Sequence, residues 1–406
     1  MESNLDGKRV VLGITGSIAA YKAANIASSL TKLGAQVDVI LTEAATRFVA
    51  PLTFQALTGR PVYTSLWEPG SGEGLGAHIA HVGLGNSADL LLIAPATSNT
   101  IAKIAHGLAD NLLSVTALAA RCPILIAPAM DAGMYETPIT QANVATLRER
   151  GVHFAGPARG RMASGLEGLG RFLEPDEIVG HARYVLGLTG PLAGRKIVVS
   201  AGPTREPLDP VRFVSNRSSG KQGFAIAQAA LDAGAQVTLI CGPASLQTPI
   251  GAERIDVTTA QEMEQAVLAH SATADVLVMA AAVGDFRPET IAPQKIKKSD
   301  DPGLTLSLIR NPDILANLSE EAQRPRLTVG FAAESQDLVA NAQDKLIRKK
   351  LDLIIANDIA APDAGFAVDT NRVVFITGDG IEKLPLISKE AVAARLMVWI
   401  IDRMSN

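Results

Sequence analysis

The stretch AGPTREPLDPVRFVSNRSSGKQG, Ala201 to Gly223, follows a strand-like run and leads into a helical one. Its length and its mix of Asn, Arg, Ser, Gly and Lys exceed what a structural turn needs. Such a stretch reads as a loop that handles a ligand, and one chemistry to weigh is the activation of a carboxylate by a nucleotide. The attack brings anions together, so cations must gather around the phosphates and a carboxylate must hold a metal ion. Asp285, Lys295, Lys345 and Lys349 can supply these groups. Lys345 and Lys349 fall on one face of a predicted helix and, without a ligand, repel each other by roughly a few tenths of a kcal/mol. Lysines on an ordinary solvated face would show the same spacing.

A second concentration lies near the N-terminus. GITGSIAAYK, Gly13 to Lys22, turns at Gly16 and starts a helix at about Ser17, where free N–H groups, the helix dipole and a hydroxyl can meet a phosphate. Alone this is weak, because the full G-x-G-x-x-G fingerprint is missing. Three further loops strengthen it: Thr42, PATSNT (Pro95 to Thr100) and PAMDAGMY (Pro128 to Tyr135). Their hydroxyls, amide and thioether around one sheet edge suit a flavin mononucleotide better than a bare phosphate.

These loops need strands to hold them. Short β-branched runs alternate with helical patterns, which predicts βαβ units around parallel sheets. The first half offers Val10 to Ile14, Val37 to Leu41, Leu90 to Ala94 and Ile124 to Ala127. The second offers Ile197 to Ser200, Val237 to Cys241, Val276 to Ala280, Leu327 to Phe331, Leu353 to Ile355 and Val373 to Thr377. The Gly/Pro-rich GLTGPLAG, Gly187 to Gly194, reads as a linker, so the expected domains are 1–190 and 191–406. LGAQVDVIL and ADLLLIA of the first half are echoed by AGAQVTLIC and ADVLVMA of the second. Both halves are therefore expected to be doubly wound α/β domains, with ligands beyond the carboxyl ends of the strands.

The 406 residues, 47% apolar and 19% charged, can build two large cores. A net charge of -4 without a basic stripe argues against nucleic acid. Apolar runs such as Leu90 to Ala96 are far shorter than the roughly 18 residues a membrane span needs. Cys122 and Cys241 read as buried free thiols of a reducing, cytoplasmic compartment.

The first half resembles the homo-oligomeric flavin-containing cysteine decarboxylases. It carries in order their GSIAAYK-like opening, the stretch HVGLGNSADL, a PASANT-like loop and a PxMNxxMW-like loop. The resemblance implies a flavodoxin-like domain that holds FMN through Gly16, Ser17, Thr42, Thr97, Asn99 and Met130. It also implies that His81 is the base in thiol oxidation and that Asp131 and Tyr135 meet the substrate. His78 suggests a metal pair, but no third ligand is visible. A cysteinyl amide has no electron sink for decarboxylation; oxidation to a thioaldehyde supplies one, and the hydride is then returned. Two positions depart from the family. Asp131 stands in place of Asn, and must be protonated, turned toward a donor, or replaced in its role. Ser164, in ASGLEGLGRF, stands where a Cys would protonate the enethiolate.

The second half resembles the phosphopantothenate:cysteine ligase domain fused to such decarboxylases in bacteria. Beyond Ala201 to Gly223 the likeness runs through AAVGDF (Ala281 to Phe286), KIKK (Lys295 to Lys298), NPDIL (Asn311 to Leu315), GFAAES (Gly330 to Ser335) and ANDI (Ala356 to Ile359). It implies a Rossmann-like domain binding CTP through Ala281, Asp285, Lys295, Asn311, Pro312, Asp313, Ile314, Phe331, Lys345 and Lys349. It further implies that Asp285 holds Mg2+, that Asn216 handles the acyl cytidylate, and that Lys295 acts from a mobile flap. The implied substrates are 4'-phosphopantothenate, L-cysteine and CTP, with trimeric decarboxylase and dimeric ligase contacts. Competing readings are a ligase whose flavin half no longer turns over, a flavin-binding regulatory protein, and a dinucleotide-dependent dehydrogenase.

Overall fold

A computed structural model of the chain describes residues 3–67, 80–297, 303–334, 337–358 and 368–405, with 333, 334 and 358 described by backbone alone. His78, Lys298, residues 300–302, Ser335 and Ile359, all within or beside the motifs above, lie outside the described residues. The chain forms two compact units, Ser3–Gly187 and Leu188–Asn406.

The first unit is built on six parallel strands: β1 (Arg9–Ile14), β2 (Gln36–Leu41), β3 (Val62–Tyr63), β4 (Leu90–Ala96), β5 (Ile124–Pro128) and β6 (His153–Phe154). Their order is β3-β2-β1-β4-β5-β6. Helices α1 (Ala23–Lys32), α2 (Pro51–Thr58), α3 (Ala80–Ser87), α4 (Ser98–His106), α5 (Leu112–Ala119), α6 (Ala132–Glu136), α7 (Pro138–Glu149) and α8 (Pro175–Gly187) cover both faces. That coverage is why β4 is apolar and buried along its whole length. Alternate residues feed two cores: Leu12, Ile14, Leu90 and Leu92 on one face, Val11, Leu91 and Ile93 on the other. Each such side chain contributes about 1.5–3 kcal/mol by leaving water. A hairpin of β7 (Ala158–Arg161) and β8 (Glu167–Arg171) follows.

The second unit repeats the plan. Strands β9 (Lys196–Ala201), β12 (Gln236–Cys241), β13 (Glu253–Asp256), β14 (Val276–Met279), β17 (Leu327–Glu334) and β18 (Leu353–Asp358) are parallel, in the order β13-β12-β9-β14-β17-β18. Hairpins β10–β11 (Arg205–Pro207, Phe213–Ser215) and β15–β16 (Phe286–Pro288, Leu308–Arg310) rise from strand ends. The helices are α9 (Lys221–Asp232), α10 (Ala260–Ser271), α11 (Ile314–Leu318), α12 (Leu338–Arg348) and α13 (Lys389–Met404). Late in the chain come β19 (Thr370–Asn371), β20 (Val373–Ile376), β21 (Ile381–Lys383) and β22 (Ile387–Ser388). The run around Val373, expected to continue the parallel set, instead lies antiparallel to β18, and β21 pairs antiparallel with it in turn.

The echoed sequences occupy equivalent places: β2 and β12 flank the central strand on one side, β4 and β14 on the other. Gly34 and Gly234 precede β2 and β12 with φ of +88° and +94°, a turn that a side chain would strain. The expected linker is partly structure. Leu192 is fully buried and its N–H donates to the Ala233 carbonyl at 2.8 Å. Cys241 is buried, but Cys122 is only half-buried, just before β5. Burial raises both thiols above their ordinary pKa.

Candidate active sites

In the first unit the parallel strands bring the loops after β1, β2, β4 and β5 to one sheet edge. The β1 and β4 loops are stitched together by Thr15, whose hydroxyl donates to the Pro95 carbonyl (2.7 Å) and accepts from the Thr97 N–H (3.0 Å). Gly16 faces Ala44 so closely that a Cβ would lie 2.5 Å from the Ala44 Cβ. Ser17 caps the short 3-10 turn Ile18–Lys22, and Thr97 caps α4 through the Thr100 N–H. The Thr42 hydroxyl accepts from the Ala45 N–H at 3.3 Å. Asn99 is exposed in the first turn of α4 and Met130 is half-buried after β5. Hydroxyls, helix starts and small residues thus share one rim, which fits a flavin with a phosphate tail.

His81 is the second residue of α3, and α3 precedes β4. A helix leading into a parallel strand starts at that strand's carboxyl edge, so His81 stands at the rim with the loops. Helix α3 packs on α5 through Gly85, whose added Cβ would lie 3.0 Å from Ala119 backbone.

Asp131 caps α6, its Oδ1 accepting from the Gly133 N–H at 3.1 Å. Its Oδ2 accepts from the Ser164 hydroxyl at 2.8 Å. Of the three possibilities open for Asp131, it is turned toward donors. Ser164 sits at the exposed tip of the β7–β8 hairpin. The glycines of β8 bring that hairpin against the Met130 loop: the Gly170 carbonyl accepts from the Met130 N–H (3.1 Å), and a Cβ on Gly168 would reach Ala132 at 2.5 Å. Tyr135 is buried in the core on one face of the sheet, as a packing residue.

The second unit contains a cavity of about 700 Å³. Of the ten residues expected at the nucleotide, nine line it: Ala281, Asp285, Asn311, Pro312, Asp313, Ile314, Phe331, Lys345 and Lys349. Asn216 joins them. Two buried hydroxyls fix the strand-end loop, Ser200 accepting from the Ala281 N–H (3.1 Å) and Thr204 from the Gly284 N–H (2.9 Å). The Asn311 amide donates to the Gly284 carbonyl at 2.8 Å. Asn216 donates to the carbonyls of Ala282 and Val283 at 3.3 and 3.0 Å. Asp313 caps α11 and pairs with Lys349 at 2.9 Å.

Lys295 is the exception. It is exposed and does not line the cavity. Its neighbour Ile296 is tied to Asp209, which also accepts from the N–H groups of Val211 and Arg212. Burial would raise the Asp209 carboxyl, but these three backbone donors and Arg212 hold it below the ordinary range. Asp209, the organiser of the Ala201–Gly223 stretch, escaped the sequence reading, as did Lys389, Asn357 and Asn371 of the cavity wall. A DPVR turn signal marks the first, and Asn357 lies in the ANDI motif without having been given a role; nothing local marks Lys389 or Asn371. Among the described residues no group of three or more His, Cys, Asp or Glu could hold a metal ion. Asp285 lines the cavity, and an Mg2+ ion bound alongside nucleotide phosphates needs only one or two protein carboxylates. No helix among the described residues is long and apolar enough to cross a membrane.

The family model named Flavoprotein matches residues 1–186, and that of the DNA/pantothenate metabolism flavoprotein C-terminal domain matches 192–404. The coenzyme A biosynthesis bifunctional protein CoaBC of Vibrio cholerae is 45% identical over 99% of this chain and 100% of its own length. CoaBC of Bacillus subtilis is 45% identical over 97% of this chain and 96% of its own. CoaBC of Escherichia coli K12 is 44% identical over 98% of both. Among solved structures, the C-terminal domain of a CoaBC protein aligns with 53% of this chain and 99% of its own (36% identity, TM-score 0.46). A mutant phosphopantothenoylcysteine (PPC) decarboxylase complexed with pantothenoylaminoethenethiol aligns with 44% and 97% (33% identity, TM-score 0.39). With both domains matched in order and relatives matched end to end, the chain belongs to the bifunctional enzymes of coenzyme A biosynthesis, a flavoprotein half followed by a DNA/pantothenate metabolism flavoprotein C-terminal half.

Proposed function

We propose that the second unit joins L-cysteine to 4'-phosphopantothenate with CTP and Mg2+, through an acyl cytidylate, and that the first unit, with FMN, decarboxylates the resulting phosphopantothenoylcysteine to 4'-phosphopantetheine. The observation that carries this reading is the cavity of the second unit, where Asn216, Asp285, Lys345 and Lys349 converge on one volume.

In the ligase half, Lys345 and Lys349 draw the nucleotide phosphates, and Asp285 would hold the Mg2+ that offsets their charge. Asn216, braced on two carbonyls of the strand-end loop and lining the cavity, orients the reacting acyl group. Lys295, outside the cavity, contributes less than Lys349. In the flavin half, Ser17, Thr42, Thr97, Asn99 and Met130 would hold FMN on the rim beside Gly16. Bound FMN supplies the two-electron oxidation and reduction that make the carboxylate a leaving group. His81 takes the thiol proton at the rim. Asp131 and Ser164 hold the hairpin over it, and Tyr135 packs the α6 turn beneath. We take the chain to act in the cytoplasm as a homo-oligomer, on small molecules and on neither nucleic acid nor membrane.

The test is spectral and chemical. Purified protein should carry one flavin per chain by visible absorbance, and should convert 4'-phosphopantothenate, cysteine and CTP to 4'-phosphopantetheine with release of CMP. Accumulation of phosphopantothenoylcysteine with bound flavin would instead favour a ligase with an inert flavin half.

A further inference from the structure

One wall of the ligase cavity is formed by Lys221 and Gln222 of the Ala201–Gly223 stretch, Asn357 of ANDI, and Asn371 and Lys389, which lie in none of the motifs; the family likeness assigned a role to none of the five. Lys389 opens α13, is 4% exposed, and donates its ammonium to the Val368 carbonyl. A buried ammonium is expensive unless anions compensate it. Burial pushes Lys389 below the ordinary lysine pKa and the Lys221 cation pushes it further, while Asp369 and Glu390 work the other way. Asp369 already accepts from Lys221 at 2.5 Å and is largely exposed. Lys389 and Lys221 thus bring two ammonium groups to one wall of the cavity, with Asp369 beside them.

Three more observations point to what it receives. Helix α9 starts here at Gly220, which has no side chain to cap it; the Lys221 N–H meets the Ser219 hydroxyl at 3.5 Å, and the other first-turn N–H groups add to the positive end of a helix whose first residues, Lys221, Gln222 and Gly223, line the cavity. Gln222 ties the wall together, accepting from Asn371 at 2.9 Å and donating to the Lys389 carbonyl at 3.1 Å. The side-chain oxygens of Asn357 and Asn371, in residues 9% and 3% exposed, are buried without a partner among the described residues. Orphaned acceptors beside clustered cations suit a phosphate whose carrier also bears O–H or N–H groups.

We propose that Lys389 is a phosphate-binding residue of this cavity, forming an anion subsite with Lys221 and the first turn of α9. The inference rests on the ligase reading. Two phosphates of that reaction share the required chemistry: the triphosphate of the nucleotide and the phosphate ester of the acid.

The experiment measures binding of CTP, cytidine, 4'-phosphopantothenate and pantothenate to the full chain, as wild type, Lys389→Met and Lys389→Arg. For one phosphorylated ligand, Lys389→Met should weaken binding about tenfold or more, against about twofold or less for its unphosphorylated counterpart, with partial recovery in Lys389→Arg. Loss confined to CTP assigns the triphosphate; loss confined to 4'-phosphopantothenate assigns the ester. Lys221→Ala, at a partly exposed side chain, should act in the same direction without disturbing the core. Equal losses with and without phosphate, or no change in any ligand, would overturn the assignment while leaving the ligase reading intact. Failure of the wild-type chain to bind either phosphorylated ligand would overturn both.

Discussion

The Ser164 hydroxyl donates to Asp131 Oδ2 at 2.8 Å, so the two positions at which this chain departs from the decarboxylase pattern are partners. A hydroxyl that donates to a carboxylate is a poorer acid than a free one, because losing its proton would leave two anions side by side. The pairing therefore favours a latch between hairpin tip and helix cap over proton donation by Ser164.

The latch has a measurable signature. Ser164→Ala and Asp131→Ala should each loosen the hairpin, and the double variant should lose little more than either single one, a coupling of about 1 kcal/mol. Hydrogen exchange at residues 162–166 reads it directly. Additive effects would mean that the two side chains act independently. In single turnovers, Ser164→Ala should still reduce the flavin; slowed reoxidation with leakage of the unsaturated thiol would return Ser164 to the proton-transfer step.

Asn216→Asp should abolish amide formation without unfolding the unit. The native amide donates to the carbonyls of Ala282 and Val283, whereas a carboxylate would face those oxygens without a proton to share. The side chain must swing away, and the loop loses roughly 1–3 kcal/mol of support. Mass detection of the acyl nucleotide, with flavin absorbance as an internal control, separates this local failure from global loss. Ordinary ligase turnover in the variant would remove Asn216 from the site.

How much of this was legible in the sequence depended on range. The strands were readable because both sheet faces are covered, which writes β4 and β14 as unbroken apolar runs and β1 and β9 as nearly so. Two-residue strands such as β3 and β6 carry no periodicity to read. The antiparallel edge of β20 and β21 was missed because strand composition does not encode direction. Within the sites, motif residues such as Asn311 and Asp313 were found because contiguous loops hold them. The Ser164–Asp131 pair joins residues 33 apart, and Lys389 reaches the cavity from the last helix. Such contacts belong to packing and leave no local trace.

Two half-buried histidines of the flavin unit give a pH dependence with a defined sign. Burial lowers the pKa of His153 and of His181, with Glu177 opposing it at His181. Below the ordinary value of about 6.5 the unfolded chain therefore binds protons that the folded chain resists. Stability should be full above that value and fall as pH drops from it toward the folded values, then level off for these groups. Thermal melting between about pH 7 and 5 should show the fall, and His181→Gln should flatten it. An unchanged slope would place the acid sensitivity elsewhere.

Two of the lysines assigned to the nucleotide by the same resemblance should behave differently. Lys349 lines the cavity, is 17% exposed, and pairs with Asp313 at 2.9 Å, where Asp313 also caps α11. Removing it leaves an unneutralised carboxylate facing the place where phosphates are expected, so Lys349→Ala both deletes an attraction and exposes a repulsion. Lys295 is exposed, lies outside the cavity lining, and has its backbone neighbour anchored to Asp209. Charges in solvent are screened and interact weakly. Lys349→Ala should therefore raise the KM for CTP by roughly tenfold or more, equivalent to about 1.4 kcal/mol, whereas Lys295→Ala should change it by about threefold or less. Initial-rate measurements over a range of CTP concentrations, at fixed 4'-phosphopantothenate and cysteine, compare them. A larger effect at Lys295 would mean that the segment bearing it moves onto the nucleotide during turnover, and that its place beside Asp209 is the resting position only.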